Sequence, residues 1–74
     1  GGAAIGLSDR RLKYNIHHVG YLNNGIPTYV FSFLGSKLRE FGVMADEVIN
    51  ILPDAVIAND NGYMMVDYRK VYNG

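Results

Sequence analysis

Residues 28–34 read TYVFSFL. Tyr29, Phe31 and Phe33 fall on one side of an extended chain, while Thr28, Val30, Ser32 and Leu34 fall on the other. This alternation predicts a strand. Pro27 stands at its start, where a missing N–H does least harm. Downstream, Gly35, Ser36 and Lys37 supply a turn, and Arg39 to Met44 reads as a second strand closing a hairpin on the first. A helix follows directly. Met44, Val48, Ile51 and Leu52 lie at i, i+4, i+7 and i+8, so they share an inward face, with Asp46, Glu47 and Asn50 outside. Pro53 ends the helix, because its ring blocks the ladder.

Working outward, Ala55 to Ala58 and Tyr63 to Tyr68 are apolar runs separated by Asn59, Asp60, Asn61 and Gly62, which predicts a second hairpin. Tyr68 to Tyr72 reads as the beginning of another helix. Upstream, Tyr14 to Val19 is expected to be extended, and Asn23, Asn24 and Gly25 form a turn, since Asn and Gly tolerate positive φ. Ser8 offers an N-cap and Asp9 suits the positive end of a helix dipole, so Asp9 to about Lys13 is expected to form one helical turn. Residues 1–7, GGAAIGL, read as a linker or the end of an upstream domain, and Gly1 in place of a start methionine suggests a piece of a longer protein. The expected fold is a small α+β domain, residues 8–74, with β-hairpins and one central helix.

The charge balance narrows function. Seven basic and seven acidic side chains give a formal charge of zero, which argues against nucleic acid or an anionic membrane as partner. A chain of 74 residues buries only about 60% of the surface its unfolded form exposes, so it needs outside stabilisation. No cysteine is present, which excludes disulfides and thiolate zinc sites. Oligomerisation remains. Six tyrosines and three phenylalanines offer more aromatic surface than one small core encloses, which fits burial between subunits.

Most candidate chemistry has an ordinary explanation. His17 and His18 are adjacent, so in an extended chain they point to opposite faces and cannot hold one metal ion. Asp46 and Glu47 sit in the first turn of a helix, where the dipole favours acids. The aromatic face of Tyr29, Phe31 and Phe33 lacks the basic surround of a base-stacking platform and reads as core. No metal or cofactor is expected. Ser8 and Lys13, taken by spacing alone, are a chance pair, and Ser8 would be read as a helix cap.

Three blocks change that reading. The chain carries S-D-x-R-x-K as Ser8, Asp9, Arg11 and Lys13, then FGVMADEVINILPDAV, then GYMMVDY. Together, over Leu7 to about Tyr72, they resemble the C-terminal intramolecular chaperone domain of phage tailspikes and tail fibres, the endosialidase type. The family usually has glutamine where this chain has Asp46. The resemblance implies a homotrimer that helps the preceding fibre domain of its own chain to fold, in a virion tail fibre or a bacterial tail-fibre-like surface protein. It further implies self-cleavage before the motif serine. Leu7-Ser8 would be the scissile bond, Ser8 the nucleophile, Lys13 the general base, and Asp9 and Arg11 the partners that hold the turn.

A hydroxyl beside its own preceding carbonyl is well placed for an N-to-O acyl shift, which gains from high effective concentration. The base is the difficulty: making half of an ordinary lysine neutral at pH 7 costs about 4.6 kcal/mol. Burial and nearby arginines lower a lysine pKa, whereas an unpaired Asp9 would oppose the shift. Asp9 is therefore expected to pair with an arginine, and the lysine to be desolvated only when subunits pack. Two other readings compete: a permanent trimerisation cap that never cuts, and a receptor- or glycan-binding fibre tip.

Overall fold

The computed structural model describes residues 4–73. The central hairpin forms as its alternation requires: β2 (Lys13–Tyr21), β3 (Pro27–Phe33) and β4 (Glu40–Gly42) make one antiparallel sheet in the order β2-β3-β4. Lys13 pairs with Phe33, and Tyr29 with Gly42. The β2–β3 turn uses Gly25 at φ 89°, a conformation that costs glycine little. A side chain at Gly42 would press on Phe31, its Cβ meeting the ring at 3.1 Å, so glycine lets Phe31 lie flat across the hairpin.

From β4 the chain enters α1 (Ala45–Ile51) with Met44 as its cap residue, and Pro53 opens a 3-10 turn, Pro53–Ala55. The second hairpin is β5 (Val56–Ala58) with β6 (Met64–Asp67), and the last helix, α2, spans Tyr68–Asn73. The core lies between these elements, where Ile26, Val43, Ala45, Val48, Ala55, Val66 and Val71 are fully buried or nearly so. The result is an α+β domain of two three-stranded antiparallel sheets and two helices.

Three local expectations need correction. Ile5–Leu7, read as linker, is strand β1, which pairs antiparallel with β6 and completes a sheet in the order β1-β6-β5. Three residues between glycines and small side chains carry no periodicity, so only their partner strand reveals them. Residues 1–3 of the expected linker, and Gly74, lie outside the described residues. Ser8 is not a cap: Asp9 caps the 3-10 turn Arg10–Leu12, its carboxylate accepting from the Arg11 N–H. Ile51, expected to face inward, is 40% exposed and borders an open groove beside Asp67 and Lys70. Met44, Ala45 and Val48 carry the helix's packing instead.

Much of the aromatic surface stays outside the core of the single chain. Phe31 is buried, whereas Tyr14, Tyr21, Phe41 and Tyr72 are exposed, as are Leu34 and Leu38. His17 and His18 are also exposed, and His18 donates to the Gly20 carbonyl while packing against Tyr21 and Tyr29.

Candidate active site

Ser8 follows β1 at the point where the chain passes from one sheet to the other. Its N–H donates to Met64 O at 3.1 Å, and its carbonyl accepts from Ala45 N at 2.9 Å. Its hydroxyl donates to Val43 O at 2.6 Å. The serine is thus tied to β6, to the start of α1 and to the β4–α1 junction, and it is completely buried. This explains why it cannot also cap the turn after it.

Lys13 opens β2, five residues on, and turns its amine back into the same niche. Nζ lies 3.2 Å from Ser8 Oγ, 3.1 Å from Ser8 O and 2.7 Å from Val43 O, with Met44 Sδ at 3.7 Å. Phe31 lies beneath the amine, ring centre 4.4 Å away, and Phe33 is at 5.9 Å. Only 7% of the residue is exposed. One chain is therefore enough to bury this amine, contrary to the expectation that subunit packing is required. The physical reason is the aromatic face of β3, which supplies the apolar floor directly opposite the first residue of β2.

Desolvation is the main influence on the amine, and the positive charge of Arg10 adds to it. Asp46, Asp9 and Glu40 pull the other way. The balance lowers the Lys13 pKa from 10.5 to about 8. At pH 7 about a tenth of the amines are then neutral, against well under a hundredth for an ordinary lysine.

Two of the three acids that would raise this value, Asp9 and Asp46, are themselves paired with arginines. Asp9 is 1% exposed, and its carboxylate accepts from Arg11 N, Arg11 Nε and Arg11 Nη2 at 2.8 to 3.0 Å, and from Met64 N at 2.9 Å. The Arg11 guanidinium holds this carboxyl well below the usual carboxylate range. Arg11 reaches on to Gly62 O at 3.0 Å, tying the turn to the β5–β6 loop. Asp46 takes a two-pronged ion pair from Arg10 at 3.1 and 3.2 Å. Asp9 thus pairs with an arginine as expected, and Asp46 meets the neighbouring one.

The structure brings Ser8 and Lys13 together in one niche, with Leu7 at its edge, while Asp9 and Arg11 pair beside it and are tied to Met64 N and Gly62 O. Three participants lie inside the quoted motif blocks but are not legible there as site residues: the Val43 carbonyl, Met44, and Tyr68, whose hydroxyl donates to Leu7 O at 3.1 Å. A backbone acceptor has no residue type to betray it, and Tyr68 lies 61 positions from Leu7.

A neutral Lys13 amine has a lone pair within hydrogen-bond range of Ser8 Oγ. In the resting arrangement the serine proton goes to Val43 O instead, so activation requires the hydroxyl to rotate from that carbonyl to Nζ. Among the described residues, no cluster of histidines and acids is placed to hold a metal ion. A family model described as chaperone of endosialidase, of the peptidase S74 family, matches residues 8–57. No curated protein and no solved structure matches the chain.

Proposed function

We propose, from the premise that the chain belongs to the chaperone-of-endosialidase family, that it trimerises and folds the fibre it ends, then releases itself by cutting Leu7-Ser8. Membership implies an intramolecular chaperone of endosialidase-type fibres, and the family is associated with trimeric phage tail fibres and tailspikes. The observation that carries the cut is the buried pairing of Ser8 Oγ with Lys13 Nζ at 3.2 Å, next to the Leu7 carbonyl.

The steps balance without a co-reactant other than water. Ser8 Oγ bonds to the Leu7 carbonyl carbon as its proton passes to neutral Lys13. The Leu7–Ser8 C–N bond then breaks, the Ser8 nitrogen takes the proton back from Lys13, and an ester remains. Water hydrolyses it, leaving a Leu7 carboxylate and a free Ser8 amine and hydroxyl. Asp9 and Arg11 hold the turn that aims Lys13 at Ser8, and the unit released by the cut would begin at Ser8, leaving β1 with the preceding chain. The exposed Tyr14, Tyr21, Phe41 and Leu38 are the surface on which three copies would meet.

Mass spectrometry of the full-length protein tests the cut. A fragment starting at Ser8 is expected, and Ser8→Ala abolishes it. The permanent-cap reading is favoured by the resting bond from Ser8 Oγ to Val43 O, and it predicts an intact chain. Solution mass tests both, because a monomer contradicts either.

The rate should also depend on pH in one direction. Because the amine must be neutral, cleavage is expected to rise roughly tenfold per pH unit below 8 and to level off above it. A rate that is flat between pH 6 and 8 contradicts Lys13 as the base.

A further inference from the structure

We infer that Tyr68 is a further catalytic residue, whose hydroxyl stabilises the negative charge that develops on the Leu7 carbonyl oxygen during the cut. This rests on the cleavage reading above and adds to it the one component that Ser8 and Lys13 do not supply, an oxyanion donor. Acyl transfer at a carbonyl requires such a donor as much as it requires a base.

Strand geometry isolates the Leu7 carbonyl. Ser8 N donates to Met64 O and Tyr68 N to Ala4 O, which marks the even positions of β1 as the hydrogen-bonded pairs with β6. Leu7, opposite Met65, is then a non-hydrogen-bonded position, and its carbonyl points away from β6. Since β1 is the edge of its sheet, that carbonyl faces an open side. The Tyr68 hydroxyl meets it there at 3.1 Å.

The ring reaches that side by crossing Gly6. A Cβ on Gly6 would lie 3.0 Å from Tyr68 Cε2, so the ring passes over the glycine too closely for an added methyl to leave it in place. Tyr72, one helical turn on, stacks on the ring with centres 6.0 Å apart and planes 11° from parallel. The phenol is thus fixed before the reaction begins. Burial pushes its pKa up, so it remains a proton donor through neutral pH. As Ser8 Oγ bonds to the Leu7 carbon, the π electron pair moves onto the Leu7 oxygen, and the hydrogen bond from Tyr68 strengthens without transferring its proton.

The test follows release of the fragment starting at Ser8 from the full-length protein, comparing wild type with Tyr68→Phe, Gly6→Ala and the double variant. Tyr68→Phe is expected to slow release about 100-fold while solution mass and melting temperature stay at wild-type values. Gly6→Ala keeps the phenol but shifts the ring by a few tenths of an ångström, so it slows release less than Tyr68→Phe does, and adding it to Tyr68→Phe causes no further loss because both act through one bond. Release by Tyr68→Phe within about threefold of wild type overturns the inference. Should that variant melt lower, Gly6→Ala decides, and a wild-type rate there overturns it too. Failure of the cleavage reading looks different: wild type releases nothing, or Ser8→Ala still cuts.

Discussion

Lys13→Met is expected to abolish cleavage and, at the same time, to make the domain more stable at pH 7. The amine is buried against Phe31 and its pKa is lowered to about 8, so the folded state pays to keep it charged. The sign follows from linkage. A cation whose folded pKa lies below its unfolded value destabilises the native state fully below the folded pKa, and the penalty disappears as pH rises from about 8 to 10.5. At pH 7 it amounts to about 3 kcal/mol. Methionine fills similar space without the charge. Its introduction orphans no carbonyl, because Val43 O still accepts from Ser8 Oγ and Ser8 O still accepts from Ala45 N. After subtracting the lost contact with the Phe31 ring and the lost hydrogen bonds from Nζ to Val43 O and Ser8 O, a net gain of about 1 kcal/mol remains. Thermal melts at pH 7 and pH 9.5 check this. Wild type should gain on the variant as pH rises, and a Lys13→Met protein less stable than wild type at pH 7 contradicts the buried-cation account.

Asp9→Asn should do the opposite, costing about 2–4 kcal/mol although it changes a single oxygen to NH2. The carboxylate is an acceptor on both oxygens: Oδ1 takes the Arg11 N–H and Nε, while Oδ2 takes Arg11 Nη2 and Met64 N. An amide must turn a donor toward one of these donor pairs. Either the turn loses its cap or Met64 N–H is left buried without a partner. For a domain of this size the loss lowers the melting temperature by on the order of 10 °C or more. Acid behaviour provides a second check. The carboxyl's folded pKa is depressed, so its stabilisation is present above the ordinary carboxylate value and is lost as pH falls through and below it. The Asn variant should therefore lose less stability than wild type between pH 5 and 3. A melt within about 2 °C of wild type contradicts the role given to Asp9.

These variants act in opposite directions because the site sets two buried charges against each other's needs. Asp9 is buried with both oxygens accepting from Arg11 and Met64, whereas the Lys13 amine, though bonded to Ser8 and Val43, lies over an aromatic floor where desolvation holds its pKa below the ordinary value. A group held away from its ordinary pKa beside a well-bonded neighbour is an arrangement that active sites share.

What the sequence determined by itself are the features governed by neighbours along the chain. The period-two alternation of residues 28–34 specified β3, the Asn and Gly clusters specified the turns, and Pro53 stopped α1. The motif from Ser8 to Lys13 named the residues of the niche. The tertiary structure alone decided what depends on contacts between distant segments. Pairing with β6 made Ile5–Leu7 a strand, and the fall of the chain across the sheet junction turned Ser8 from a cap into a buried hydroxyl on Val43 O. The aromatic face of β3 buried Lys13 without a second subunit, and the missing side chain of Gly6 let Tyr68 cross to the Leu7 carbonyl. Side-chain periodicity is a local property of backbone geometry, but desolvation and hydrogen-bond partnership depend on which surfaces meet, and only the folded chain specifies that.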